Sequence, residues 1–200
     1  MRVLRRLISI LTVVTSSTAT AATVQHFDAV GMSVLVPDDW AIRADNPKHL
    51  VDGRTVVQFH ALHLQSQSQS VTCEVNRIPL PPNFARYPQR QLDDAYLQHP
   101  MTRDDWQRRI QQTVGVSALD LEFGQGKLGG DASYWSVTTT RTMVGNVALN
   151  VKIKTFLSQT PHYAWNVQCA TGSLTMDEAQ LLYRTYTPTF ERIFQSFQHD

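Results

Sequence analysis

No stretch of this 200-residue chain approaches the ~20 apolar residues of a membrane-spanning helix. The apolar run near its start, Leu7 to Val14, stops at eight residues, which argues against a stable membrane anchor. Cysteine is scarce: Cys73 and Cys169 are the only two, and neither sits in a C-x-x-C pair, so thiol-redox and zinc-ribbon patterns are excluded. G-x-S-x-G, H-E-x-x-H and a phosphate loop are missing as well. The glycines of "GQGKLGG" (124 to 130) lack the spacing and the following helix of a phosphate cradle, and they predict a loop between strands. A basic excess is also lacking. Without Arg2, Arg5 and Arg6, fifteen basic residues face seventeen acidic ones, so nothing in the charge balance attracts nucleic acid.

What the N-terminus does have is an export address. Its basic start, the short apolar run and the Ala19-Thr20-Ala21 ending form a secretory signal peptide. Cleavage is expected after Ala21, with no cysteine nearby to carry a lipid. The expected organisation is a signal peptide over 1–21 and a single α+β domain over 22–200, a length that sustains one core. The protein is expected in the periplasm or outside the cell.

That compartment gives the cysteines a context, because exported pairs are commonly bridged. Cys73 shares strand parity with Val71 and Val75, and Cys169 shares it with Tyr163, Trp165 and Val167. Both therefore point to apolar faces. The two readings are a disulfide and two buried thiols, and the compartment favours the disulfide.

Period-two patterns dominate the chain. "GMSVLVPDDW" (31 to 40) alternates through Met32, Val34 and Val36, turns after Pro37 and resumes at Trp40. Residues 55–65 and 70–76 predict a hairpin around a Ser/Gln stretch. The prolines of 77–88 predict an extended connection that is neither helix nor central strand. Two short helices follow, one through Leu92, Ala95 and Tyr96, the other capped at Thr102 and carrying Trp106, Ile110 and Val114. "DASYWSVTTTRTMV", "VALNVKIKTFL" and "HYAWNVQCA" predict an antiparallel meander. In its middle strand Val147, Leu149, Val151, Ile153 and Leu157 form the packed face, while Asn150, Lys152 and Lys154 form a wetter one. Thr175 and Glu178 open a closing helix that Pro188 should kink or restart. The expected class is α+β, a largely antiparallel sheet flanked by helices.

"VPDDW" near the mature start, "LGGDASYWSVTTT", the meander and the terminal helix ending "IFQSF" together resemble the PsbP-like superfamily, over most of the mature chain. Relatives often carry glycine where this chain has Asp39. The resemblance implies an α/β/α sandwich and a binding module, and it transfers no catalytic residue.

Residues suggestive of chemistry have plainer readings. His60 and His63 are three apart on a strand, so they point to opposite faces and make no two-histidine metal site. Asp38-Asp39, Asp93-Asp94 and Asp104-Asp105 suit turns and first helical turns better than paired catalytic carboxylates. Trp40, Trp106, Trp135 and Trp165 fall on apolar faces and suit core packing better than ligand stacking. The leading expectation is an exported non-enzymatic protein without catalytic residue, metal or cofactor, which binds another envelope or secreted protein, as an adaptor or immunity factor. A small-ligand or metal carrier and a hydrolase assembled from distant residues are the alternatives.

Overall fold

A computed structural model describes residues 21–43, 55–64, 68–115, 117–144 and 146–200. Of the expected leader, 1–21, residues 1–20 lie outside this set. In chain order the elements are β1 (Ala22–Phe27), β2 (Met32–Pro37), β3 (Trp40–Arg43), β4 (Thr55–Ala61), β5 (Gln69–Pro79), α1 (Gln89–Gln98), α2 (Arg103–Val114), β6 (Asp120–Leu128), β7 (Asp131–Val144), β8 (Val147–Gln159), β9 (Tyr163–Ser173), α3 (Met176–Ser196) and β10 (Gln198–His199). Short 3-10 turns occupy Leu62–Leu64 and Pro82–Arg86. Seven strands form one antiparallel sheet in the order β3-β4-β5-β9-β8-β7-β6, and β1-β2-β10 form a second, smaller one. The α+β class read from the periodicity is the class found.

Alternation places Val57, Phe59, Val71, Cys73, Val75, Trp165, Val167 and Cys169 on one face of the large sheet. Against them lie Phe190, Ile193, Phe194 and Phe197 from the end of α3, and Met32, Val34 and Val36 of β2. Burying each such side chain contributes roughly 1.5–3 kcal/mol. Trp40 packs here too, with its ring centroid 6.0 Å from Phe59 and 6.3 Å from Tyr186. The "VPDDW" stretch thus carries the chain from the small sheet to the edge of the large one. Ser196 Oγ accepts from Leu35 N at 2.8 Å, pinning α3 to β2. At the chain end, His199 Nε2 meets Asp131 Oδ2 at 2.8 Å and its ring stacks on Trp165. Burial raises the Asp131 pKa while the His199 charge opposes the rise.

The other face has a smaller cluster, in which Trp106 and Ile110 of α2 cover Leu121 and Leu157. Beside it α1 stacks Tyr96 on Tyr134 at 4.3 Å, and Asp93 Oδ1 accepts from Gln89 Nε2 and from Ala132 N. Asp93 therefore ties a helix to the sheet instead of capping a first turn. Asp105 does cap: its carboxylate accepts from Thr102 N and Oγ1 while Asp105 N donates to Thr102 Oγ1. These bonds hold the Asp105 pKa down at about 2. A carboxylate lowered by folding stabilises above its ordinary pKa and loses that contribution as pH falls towards the folded value. Protection of the Asp105 and Trp106 amides, taken relative to the intrinsic exchange rate at each pH, should consequently fall as pH drops from about 4 to about 2. In Thr102→Ala the fall is absent because the turn is already frayed, a contrast that hydrogen-exchange NMR reads directly.

Several expectations need correction. Residues 124–128 are strand, not loop: β6 pairs with β7, and a Cβ at Gly124 would come within 2.9 Å of the Trp135 ring. The glycine makes room for a cross-strand indole. β5 continues through Arg77, Ile78 and Pro79, opposite Trp165, Ala164 and Tyr163, so the first proline closes a central strand. α3 runs through Pro188 without a restart; the proline sits on the exposed side, where water can reach the carbonyl it leaves unpaired. The polar stripe of β8 is not wet. Lys154 Nζ pairs with Glu191 of α3 at 2.5 Å and is 16% exposed, and Lys152 Nζ lies 5.4 Å from the Tyr183 ring.

Candidate functional site

The strand pairings set side chains in straight rows across the face that α3 does not cover. One row runs Arg43, Gln58, Glu74, Gln168, Thr155, Ser136, Phe123, one residue from each of the seven strands. Six of the seven are polar. α1 and α2 lie over the β6-β7-β8 end, α2 reaching Asn166 and Gln168 of β9, and among the described elements no α-helix packs closely on the β3-β4-β5 part of this face.

The middle of the row is locked. Gln58 Nε2 donates to Glu74 Oε2 at 2.5 Å, Asn76 Nδ2 to Oε1 at 2.5 Å, and Gln168 Nε2 to Oε1 at 3.4 Å. Three carboxamides thereby fix one half-buried carboxylate, and ordering the side chains in advance lowers the entropy cost of binding. Around them Arg43, Gln58, His60, Thr72 and Glu74 line a shallow depression of about 680 Å³. Beyond Gln168 the row passes under α2 into a cavity of about 40 Å³ bordered by Trp106, Thr155 and Asn166. The arrangement supplies oriented hydrogen-bond donors and acceptors on an open surface.

Cys73 and Cys169 stand directly opposite each other on β5 and β9, joined by an S–S bond of 1.97 Å on the face behind this row. The disulfide reading holds, and the bond fastens the two strands that carry Glu74 and Gln168. His60 lies in the depression, whereas the side chain of His63 lies outside the described residues. Among the described residues no group of three His, Cys, Asp or Glu side chains could hold a metal ion, and no helix is long and apolar enough to cross a membrane. Trp40, Trp106 and Trp165 are buried and Trp135 is half-buried. Sequence parity already separated Thr72, Glu74 and Asn76 from Cys73. It gave no means of aligning them with Gln58 and Gln168.

No family model and no curated protein matches this chain. Among solved structures, the Ran-binding protein Mog1p of Saccharomyces cerevisiae superposes with a TM-score of 0.53 at 10% identity, over 90% of this chain and 96% of that one. The cyanobacterial PsbP of Synechocystis gives 0.48 at 14% identity over 92% and 96%. LpqN, involved in cell envelope biogenesis of Mycobacterium tuberculosis, gives 0.41 at 11% over 89% and 90%. At such identity the likeness to Mog1p speaks of fold alone, and that fold is the PsbP-like one the sequence resemblance implied.

Proposed function

We propose that this protein is an exported, non-enzymatic binding domain of the bacterial envelope that recognises another envelope or secreted protein through the open face of its large sheet. The observation that carries this reading is the polar row from Arg43 to Ser136, with its centre immobilised around Glu74. A sheet face that meets only water has no need to fix its side chains, while one that meets a partner benefits from fixing them beforehand. Export is supported by the leader pattern of residues 1–21 and by a buried disulfide, a bond that persists in oxidising compartments. A fold shared with a Ran-binding protein is compatible with a role in protein contact.

The test places a photo-crosslinking amino acid at Thr72, exposed beside the row, in a chain expressed with its own leader. A single envelope protein should be captured, and Thr72→Arg should abolish its binding to the purified domain. Thr185→Arg, on the exposed side of α3, should leave binding unchanged. Binding that survives Thr72→Arg, or turnover of a substrate by the purified protein, would refute the reading.

A further inference from the structure

The row ends beneath α2 in a cavity whose lining has an unusual hydrogen-bond balance. Trp106 is 2% exposed, and its Nε1–H, buried at the cavity, has no hydrogen-bond partner. Asn166 Oδ1, buried at the same cavity, has none either. One is an obligate donor and the other an acceptor. Ordinary protein interiors leave few such groups unpaired, since a donor or acceptor taken out of water without a partner is costly. On the opposite face Trp135 donates from Nε1 to Gln125 O at 3.0 Å, while the buried Trp165 Nε1 has no partner. What sets Trp106 apart is that its unpaired N–H shares a cavity with an unpaired acceptor.

We infer that this cavity receives a carboxamide group from the partner polypeptide, an asparagine or glutamine side chain whose carbonyl accepts from Trp106 Nε1–H and whose NH₂ donates to Asn166 Oδ1. The chemistry selects that group on three grounds. A carboxamide presents an acceptor and a donor side by side, which matches the two unpartnered atoms. A carboxylate offers acceptors only and would set one against Asn166 Oδ1. A space of about 40 Å³ is enough to take the end of a side chain. Access runs along the row: Gln168 lines the cavity and also donates to Glu74, which lines the open depression. A segment lying across β5 and β9 would thus have its inserted side chain seated under α2, and Thr155 and Ser136 continue the polar lining.

This inference rests on the reading of the open face as a protein-binding surface and adds what that surface selects. The test uses the folded wild-type domain labelled with ¹⁵N, in which four indole N–H signals report on Trp40, Trp106, Trp135 and Trp165. Titration with the capped tripeptide acetyl-Gly-Gln-Gly-amide should move the Trp106 signal saturably and leave the other three in place. Acetyl-Gly-Glu-Gly-amide should bind at least tenfold more weakly, and Asn166→Leu should weaken the glutamine peptide by a similar factor. A Trp106 signal unmoved at tens of millimolar peptide means that the cavity holds water only, and overturns the inference. An equal response to the glutamate peptide overturns it as well. Because the wild-type titration needs no variant, misfolding of Asn166→Leu cannot mask the answer. A partner captured from Thr72 beside an unmoved Trp106 sinks the cavity's role and keeps the face; amide binding at Trp106 without capture does the reverse.

Discussion

Replacing both cysteines with alanine should lower stability by about 4–5 kcal/mol on the chain-entropy model, and the melting temperature by roughly 10–20 °C. The loop that the bond closes spans a sequence separation of 96 residues, so the unfolded chain gains much freedom when it is cut. Both half-cystines are at most 1% exposed and lie among Val71, Val75, Val167 and Phe156, which leaves the freed positions in apolar packing that alanine fills only in part. Thermal unfolding of wild type, reduced wild type and the double alanine variant checks the effect. The reduced protein and the variant should both melt well below the oxidised form, the variant lowest because alanine leaves its sites underfilled. Equal melting of all three would mean that the link adds nothing to the fold.

Phe190→Ala should cost about 3–5 kcal/mol, the usual range for deleting a fully buried aromatic side chain. Phe190 is 0% exposed and sits in the middle of the contact between α3 and the large sheet, with ring centroids 6.0 Å from Tyr183 and 6.2 Å from Tyr186. Tyr183 and Tyr186 border the gap it would leave, and both are already held by the sheet-facing side of the helix, so they cannot close it without giving up their own packing. Burial also pushes the Tyr183 phenol up to about 12, in keeping with a side chain that stays neutral against this core. Leu181→Ala is the matched control: at 63% exposure on the same helix, its loss should change stability by less than about 0.5 kcal/mol. Chemical denaturation of the two variants separates these outcomes. A small loss at Phe190 would show that α3 is not clamped to the sheet as described.

How much of this was legible beforehand depends on the distance over which each feature is decided. Features decided within a few residues were readable, among them the alternation of Met32, Val34 and Val36, the cap at Thr102 and the inward parity of Cys73 and Cys169. At Thr175 the hydroxyl accepts from Glu178 N as expected, but the Glu178 carboxylate accepts from Ser173 Oγ and not from the cap's own N–H. Features decided by a remote neighbour were not readable. Gly124 looks like a breaker until Trp135 is placed across from it. The lysines of β8 look like a solvated stripe until α3 returns to meet them, with Glu191 lying 37 residues beyond Lys154. The candidate site belongs to this second kind. Glu74, Gln58 and Gln168 are unremarkable apart, and only the registers of β4, β5 and β9 turn them into one line.

The placement of β5 beside β9 has a consequence for timing. The seam between them lies mid-sheet, yet its two edges are made nearly a hundred residues apart, so during synthesis the first waits roughly 5–20 s for the second. Until then the N-terminal strands have a bare flank and no helix from the C-terminal end to roof them. Such late closure leaves the nascent polypeptide uncommitted to a final shape until its C-terminal strands and helix have been made.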